Sequence, residues 1–262
     1  MRKLFPAAAV LLLASNSLCA QARGDSTRQS LTVSLGLVQE NRRDDADSPL
    51  AYKGIGPNAL VGYDWSRGAR HWHLELGAGG ANLSPATSVQ ADIPPQETFN
   101  LFSLAGGMDW RLRGGSARTG TFALGFEVAA TVTLVRHLYP GQALSQQNFD
   151  LGVITAAPII RWKRRLLSGE VAASLAVPLL AGVDHPYSDV RFASQFSEVH
   201  FAPLSRFRQA NGAVSYAIAA TRRIDIVATY HLDAMQLDET QRVHRVSQSL
   251  SAGLMTRLGK LK

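Results

Sequence analysis

The segment Gly120–Leu138 constrains the fold most, because its apolar residues alternate strictly with small or polar ones. A period of two places alternate side chains on opposite faces of a β-strand. The segment is also longer than the strands of most globular proteins. It therefore predicts a long strand with one apolar face, formed by Phe122, Leu124, Phe126, Val128, Ala130, Val132 and Leu134.

Similar alternating segments recur along the chain and predict about ten strands. The connectors between them alternate between short basic turns and long irregular stretches. This connectivity is typical of an up-and-down antiparallel transmembrane β-barrel with short periplasmic turns and long external loops. The predicted strands cover residues 31–39, 58–65, 71–83, 99–112, 120–138, 149–162, 170–180, 211–220, 224–233 and 246–258.

Alternation alone does not say which face points inward, because a soluble barrel with an apolar interior alternates too. Two features favour an apolar exterior. The opposite faces carry mostly small and polar residues, which suits a narrow lumen. The four tryptophans, Trp65, Trp72, Trp110 and Trp162, all lie near short turns, as in the aromatic girdles of membrane barrels. Strict alternation puts Gly152 and Trp162 on the lumen face, and we expect a bulge at Pro158 to turn Trp162 outward.

Residues 1–22 have the composition of a secretory signal peptide. A basic start at Arg2 and Lys3 precedes an apolar run, and the motif Ala20-Gln21-Ala22 suggests cleavage near Ala20 or Ala22. Residues 23–262 then form a single barrel domain in the outer membrane of a Gram-negative bacterium. The single cysteine, Cys19, lies in the signal, so the mature chain has no thiol or disulfide.

The chain resembles outer-membrane β-barrel proteins as a class, and it resembles the omptin proteases in strand count alone. The class implies outer-membrane lipid, including lipopolysaccharide, and the barrel assembly machinery as partners. The net charge of +7 is spread over short turns without a continuous basic stripe, which indicates no nucleic-acid partner. The glycines of residues 76–80 lie within a predicted strand and not at a helix start, so we expect no cofactor.

Strand parity predicts a charge cluster inside the barrel near the periplasmic end. Buried charges need partners, so a salt-bridged plug is the favoured interpretation and a selectivity filter or proton path is the alternative. The predicted members are Asp64, His73, Glu75, Asp109, Arg111, Glu170, Asp225 and Arg257.

A second group lies near the predicted external rim. His231 and Asp233 share the inward face of one strand, and His137 ends another. A histidine–aspartate pair can activate a water or a hydroxyl. These three residues are therefore the candidate catalytic group of an outer-membrane hydrolase acting on lipid A or peptides.

The stretch 181–208 is predicted to be the longest irregular segment, and long loops often carry function. We expect it to be an external hairpin or an inward lid that contacts a ligand or partner. His185 and His200 lack a metal-ligand spacing, so no metal site is predicted. The candidate ligand-binding residues are Tyr187, Arg191, Phe192, Phe196, His200 and Arg206.

The sequence leaves three functions open. The favoured one is a non-enzymatic surface, structural or binding barrel with a narrow or plugged, porin-like lumen. The alternatives are the rim hydrolase and a soluble periplasmic ligand-binding barrel, which would need its apolar faces to point inward.

Overall fold

The computed structural model describes residues 27–45, 50–86, 96–112, 120–138, 147–184, 200–238 and 242–258. The predicted signal peptide lies outside these ranges. The described residues contain no helix long and apolar enough to cross a membrane. The strands are β1 (Arg28–Asp44), β2 (Ala51–Arg67), β3 (Arg70–Pro85), β4 (Gln96–Arg111), β5 (Thr121–Leu138), β6 (Gln147–Leu166), β7 (Gly169–Ala176), β8 (Leu180–Asp184), β9 (His200–Ala202), β10 (Phe207–Ala219), β11 (Ile224–Asp238) and β12 (Arg242–Leu258).

The strands close into an antiparallel barrel with ten positions around the ring. Neighbours in sequence pair from β1 to β7, β7 pairs with β10, and β12 pairs back with β1. β7 and β8 both pair with β6 and make one interrupted wall strand, broken at Val177–Leu179, which contains Pro178. The predicted all-β, up-and-down barrel of about ten strands is confirmed.

The two ends of the barrel are different. We call the end that carries the turns 68–69, 167–168 and 220–223 the turn end. Arg28 and Leu258, where the first and last strands begin and end, also lie there. The opposite end, where β1 leads to β2, is the loop end.

Several predicted connectors are strand in the structure. β1 and β2 extend the first hairpin so far that only residues 45–50 separate them. The predicted irregular stretch 181–208 likewise contains most of β8, all of β9 and the start of β10. A membrane needs only about 9–11 residues of a tilted strand, and a strand that continues into water can carry polar residues on both faces. The alternation of apolar and polar residues therefore ends before the strand itself ends.

The outer surface is apolar, as predicted. Leu35, Leu37 and Leu250 point outward with exposed fractions of 68%, 60% and 64%. The soluble barrel with an inward apolar face is therefore wrong. Such an exterior suits lipid and not water.

All four tryptophans face outward near the turn end. Trp65 lies opposite Trp72, with ring centroids 6.3 Å apart. Trp162 lies opposite the outward-facing Phe122, and this register continues without a shift through Pro158. The expected outward position of Trp162 is therefore found without the expected bulge. The parity that put Trp162 and Gly152 on the lumen face was wrong, and both residues have outward parity.

The interior of the loop-end half contains large apolar side chains beside its buried polar ones, in contrast to the small and polar lumen that was predicted. Strand β6 explains part of the error, because both of its faces carry aliphatic residues and the sequence leaves its parity ambiguous. Two buried clusters fill this half: Leu151, Val153, Ala181, Val183, Ala202, Phe207, Met235, Leu237 and Val243, and, on β2 to β5, Tyr52, Ala81, Leu83, Phe99 and Val135.

Candidate functional site

An open vestibule of about 1200 Å³ enters the barrel from the turn end. Its lining contains about twice as many basic as acidic side chains, so an anion entering it meets a favourable field. The basic residues are Arg28, Arg70, Arg111, Arg161, Lys163, Arg164, Arg165 and Arg257, and the acidic ones are Asp64, Asp109, Glu170 and Asp225.

The floor of the vestibule is a cluster of histidines and carboxylates on β2 to β6. Antiparallel register places Asp64 opposite His73, and His71 opposite Asp109. These side chains point inward because they share the parity of the lumen face, while Trp72 between the two histidines points outward. We call Asp64, His71, His73, Asp109, Glu127 and Arg161 the floor cluster.

His71 lies between two aspartates. Its Nδ1 is 3.0 Å from Asp109 Oδ2 and its Nε2 is 2.9 Å from Asp64 Oδ1. Both ring nitrogens of an imidazolium donate hydrogen bonds, whereas a neutral ring donates from only one. The pair of carboxylates therefore suits either a protonated His71 or a ring with a different cation at one nitrogen.

His73 reaches across a neighbouring strand to β5. Its Nε2 is 2.8 Å from Glu127 Oε2, although Gly107 of β4 lies between the two backbones. A Cβ at Gly107 would come within 2.6 Å of His73 Cε1. Gly107 thus leaves the space that this contact requires, and His73 Nδ1 remains buried with no hydrogen-bond partner in the described residues.

Arg161 of β6 joins the same group. Its Nε is 3.3 Å from Asp109 Oδ2 and its Nη2 is 3.9 Å from Glu127 Oε2. The cluster therefore connects five adjacent strands through polar contacts in a half-buried interior. Such a group can hold a cation or pass protons between its members.

The predicted charge cluster is divided in the structure. Asp64, His73 and Asp109 lie in the floor cluster, and Glu75 lies one inward position deeper on β3. Asp225 and Arg257 form a separate bidentate ion pair, with Arg257 Nη2 2.7 Å from Asp225 Oδ2. Arg111 and Glu170 are exposed at the vestibule.

Sequence reasoning missed three members, His71, Glu127 and Arg161. His71 and Glu127 have the inward parity of their strands, so parity was a sufficient signal for them. Arg161 was hidden because the parity of β6 was read the wrong way round.

A second polar group lies inside the loop-end half. The Arg245 guanidinium donates to Asp233 and, from Nη1, to Thr133 Oγ1 at 3.4 Å, while its Nε is 4.0 Å from Glu40 Oε1. Thr133 is on β5, which is directly across the ten-strand ring from β12. A single side chain therefore crosses the barrel interior.

His231 and Asp233, the candidate catalytic residues of the rim, do not hydrogen-bond to each other among the contacts that the structure describes. Asp233 accepts hydrogen bonds from Arg245 and from Gln209 Nε2 at 2.9 Å. His231 is inward on the same strand, and in the described part of the chain it has no hydrogen bond. The side chain of His137 lies outside the described residues.

Most of the candidate ligand-binding residues also lie outside the described residues: Tyr187, Arg191, Phe192 and Phe196. His200 is exposed in β9, and Arg206 is exposed in the turn before β10. β9 pairs with β8 and, among the described strands, with no other.

The comparisons with known proteins agree with the barrel. Neither a protein-family model nor a curated protein matches the sequence. The outer-membrane protease OmpT from Escherichia coli is similar in structure, with a TM-score of 0.51 at 7% identity, over 91% of this chain and 99% of that one. The translocator domain of the autotransporter NalP from Neisseria meningitidis gives a TM-score of 0.44 at 10% identity, over 97% and 95%. At these identities the likeness shows the fold alone, that of an outer-membrane β-barrel.

Proposed function

We propose that this protein is a non-conducting outer-membrane barrel that binds its ligand or partner at its two ends. The observation that carries the proposal is the contact between Arg245 and Thr133 across the full width of the ring. Glu40 and Arg245 are 0% and 2% exposed, and the apolar clusters occupy the same half of the interior. Ions would have to cross a packed layer without continuous water.

The proposed orientation puts the turn end in the periplasm. Bacterial outer-membrane barrels carry their short turns on that side. The basic vestibule would then open toward the periplasm and receive an anionic ligand. The loop end, with the β8–β9 hairpin, would face the outside.

The β8–β9 hairpin is the proposed external binding element. Its Phe201 is 85% exposed, and β9 presents an edge without a second neighbour among the described strands. Exposed edges and aromatic side chains are common features of partner surfaces. His200 within β9 and Arg206 just before β10 are also exposed, and both belong to the segment predicted to bind a ligand.

The rim hydrolase has weaker support. A general base must be within reach of the proton that it removes, and the Asp233 carboxylate is instead engaged by Arg245 and Gln209. The structural similarity to a protease does not add support, since it extends to the fold only.

Conductance of the mature chain in a planar lipid bilayer tests the proposal. We expect no stable ion current, in protein whose insertion is verified by flotation with lipid vesicles and by a heat-dependent shift in gel mobility. A reproducible single-channel current from the wild-type chain would contradict it.

A further inference from the structure

We propose that the floor cluster is a binding site for a divalent transition-metal ion, with His71, His73 and Asp109 as its protein ligands. One ring nitrogen of each histidine and one oxygen of Asp109 lie within 4.8 Å of one another. Two imidazoles and one carboxylate are a common ligand set for Zn²⁺ and Fe²⁺.

The buried nitrogen of His73 indicates where the ion would be. Nδ1 of His73 has no hydrogen-bond partner in the described residues, and its side chain is only 8% exposed. A buried polar atom without a partner is costly unless a ligand satisfies it. Because Glu127 already engages Nε2, Nδ1 is the nitrogen that is free to bind a metal.

The outer contacts of both histidines have the pattern found around bound metals. Metal-binding histidines usually donate their other ring N–H to a carboxylate, which fixes the ring and strengthens the ligand. Here Asp64 lies 2.9 Å from His71 Nε2, and Glu127 lies 2.8 Å from His73 Nε2. The nitrogen of His71 on the other side of the ring faces Asp109 at 3.0 Å.

The backbone already holds the ligands near the required spacing. Two ligands bonded to one tetrahedral Zn²⁺ at about 2.1 Å lie about 3.4 Å apart. His71 and His73 are alternate residues of one strand, so both rings project to the same side with their centroids 6.3 Å apart. Their planes are inclined by 17°, so the rings must rotate for their nitrogen lone pairs to converge on one ion. Rotation about the side-chain bonds, starting from separations of up to 4.8 Å, would bring all three atoms to bonding distance.

The ligand atoms determine which class of ion would bind, and the vestibule gives that ion access to the site. Imidazole nitrogens favour Zn²⁺, Co²⁺ or Fe²⁺ over Ca²⁺ and Mg²⁺, which prefer oxygen ligands. Three protein ligands leave at least one coordination position for water or an anion. His71 and Asp109 line the vestibule, so that position would be reached from the turn end.

Titration of the chelator-stripped mature barrel with Co²⁺ tests this site, with visible absorption and metal analysis as readouts. We expect one equivalent of tightly bound Co²⁺, displaced by Zn²⁺ and not by Ca²⁺. His73→Asn should abolish this binding. His231→Asn, which changes an interior histidine of the loop-end half, should bind like the wild-type chain, and a heat-dependent gel shift verifies the fold of each variant.

Two further variants keep the test decisive if His73→Asn does not fold. Glu127→Gln should weaken Co²⁺ binding by about 10–100-fold, as is typical for a residue that orients a ligand. Arg161→Gln should bind at least as tightly as the wild-type chain, because it removes a positive charge 3.3 Å from a ligand oxygen.

Three results would overturn the proposal. The first is a folded wild-type chain that binds well below one equivalent of Co²⁺. The second is equal binding by the wild-type chain and both the His73 and Glu127 variants. The third is loss of binding in a folded Arg161→Gln. Each result is independent of whether the barrel conducts ions.

Discussion

At the scale of single residues, the strongest constraint inside the barrel is the buried charge of Arg245. Its side chain is 3% exposed, and its partners Asp233 and Glu40 are 27% and 0% exposed. Removing one partner of a buried ion pair leaves an uncompensated charge in a medium that solvates it poorly. Loss of this buried interaction should therefore cost more stability than loss of an exposed ion pair.

Arg245→Met should lower the free energy of unfolding by about 3–5 kcal/mol. Arg242→Met, on the same strand, is the matched control: Arg242 is 68% exposed and its Nε is 3.8 Å from Asp238. An exposed ion pair of this kind contributes about 0–1 kcal/mol. Urea unfolding in lipid vesicles measures both changes, and equal stability of the two variants would argue against a buried ionic group at Arg245.

Single residues also show why the floor cluster was only partly predicted. Asp64, His73 and Asp109 follow from parity, because each belongs to a strand with one clearly apolar face. The contact between His73 and Glu127 depends on Gly107, which no rule of alternation identifies as a gap. The histidines of the long irregular stretch, His185 and His200, lack a metal-ligand spacing, whereas the proposed ligands come from two strands that only pairing brings together.

At the scale of whole strands, the outward face of β1 defines the surface toward lipid. Leu31, Val33, Leu35 and Leu37 are all exposed, while Ser34 between them is 5% exposed. In a transmembrane barrel this face would contact acyl chains, where a charged side chain has no favourable partner.

Leu35→Arg should therefore destabilise the barrel in lipid vesicles by about 2–4 kcal/mol, the cost of a cation near the bilayer midplane. Leu167→Arg is the control, because Leu167 is 94% exposed in the β6–β7 turn and should tolerate the charge. Reversible urea unfolding compares the two variants. An unchanged stability of Leu35→Arg would mean that β1 does not face lipid.

Three wall strands show where sequence patterns mislead. β6 carries aliphatic residues on both faces, so its parity was assigned wrongly until pairing with β5 fixed it. The wall strand made of β7 and β8 is interrupted at residues 177–179, inside a segment predicted as one continuous strand. The wall strand made of β9 and β10 is interrupted at 203–206, inside a stretch predicted as irregular. Proline lacks the N–H that a strand ladder needs, which explains the break at Pro178.

At the scale of the whole molecule, the two ends of the barrel differ in the surface that they offer to a ligand or partner. The turn end opens into a basic vestibule, whereas the loop-end half contains buried apolar clusters and the Arg245 ion pairs and bears the β8–β9 hairpin. Because the two ends differ in this way, the orientation of the barrel in the membrane determines which end could meet a ligand on each side.

Single cysteines test the proposed orientation, since Cys19 is the chain's one native cysteine. Arg242→Cys at the loop end should react, in intact cells, with a maleimide too large for porins. Leu167→Cys at the turn end should react only after lysis. Labelling of Leu167→Cys alone in intact cells would reverse the orientation and place the vestibule outside.

Alternation and connector length were enough to predict the all-β class, the barrel, its approximate strand number and its apolar exterior, because a period of two repeated over many strands admits few other folds. The extent of the strands, the orientation of β6, the residues packed in the loop-end half and the pairing of the charged residues followed only from the assembled barrel. These depend on register between strands and on side chains crossing the interior, such as Arg245 to Thr133, and neither is encoded in any single stretch of sequence. The physical reason is that alternation is local to one strand, whereas closure of the ring joins residues that are far apart in the chain.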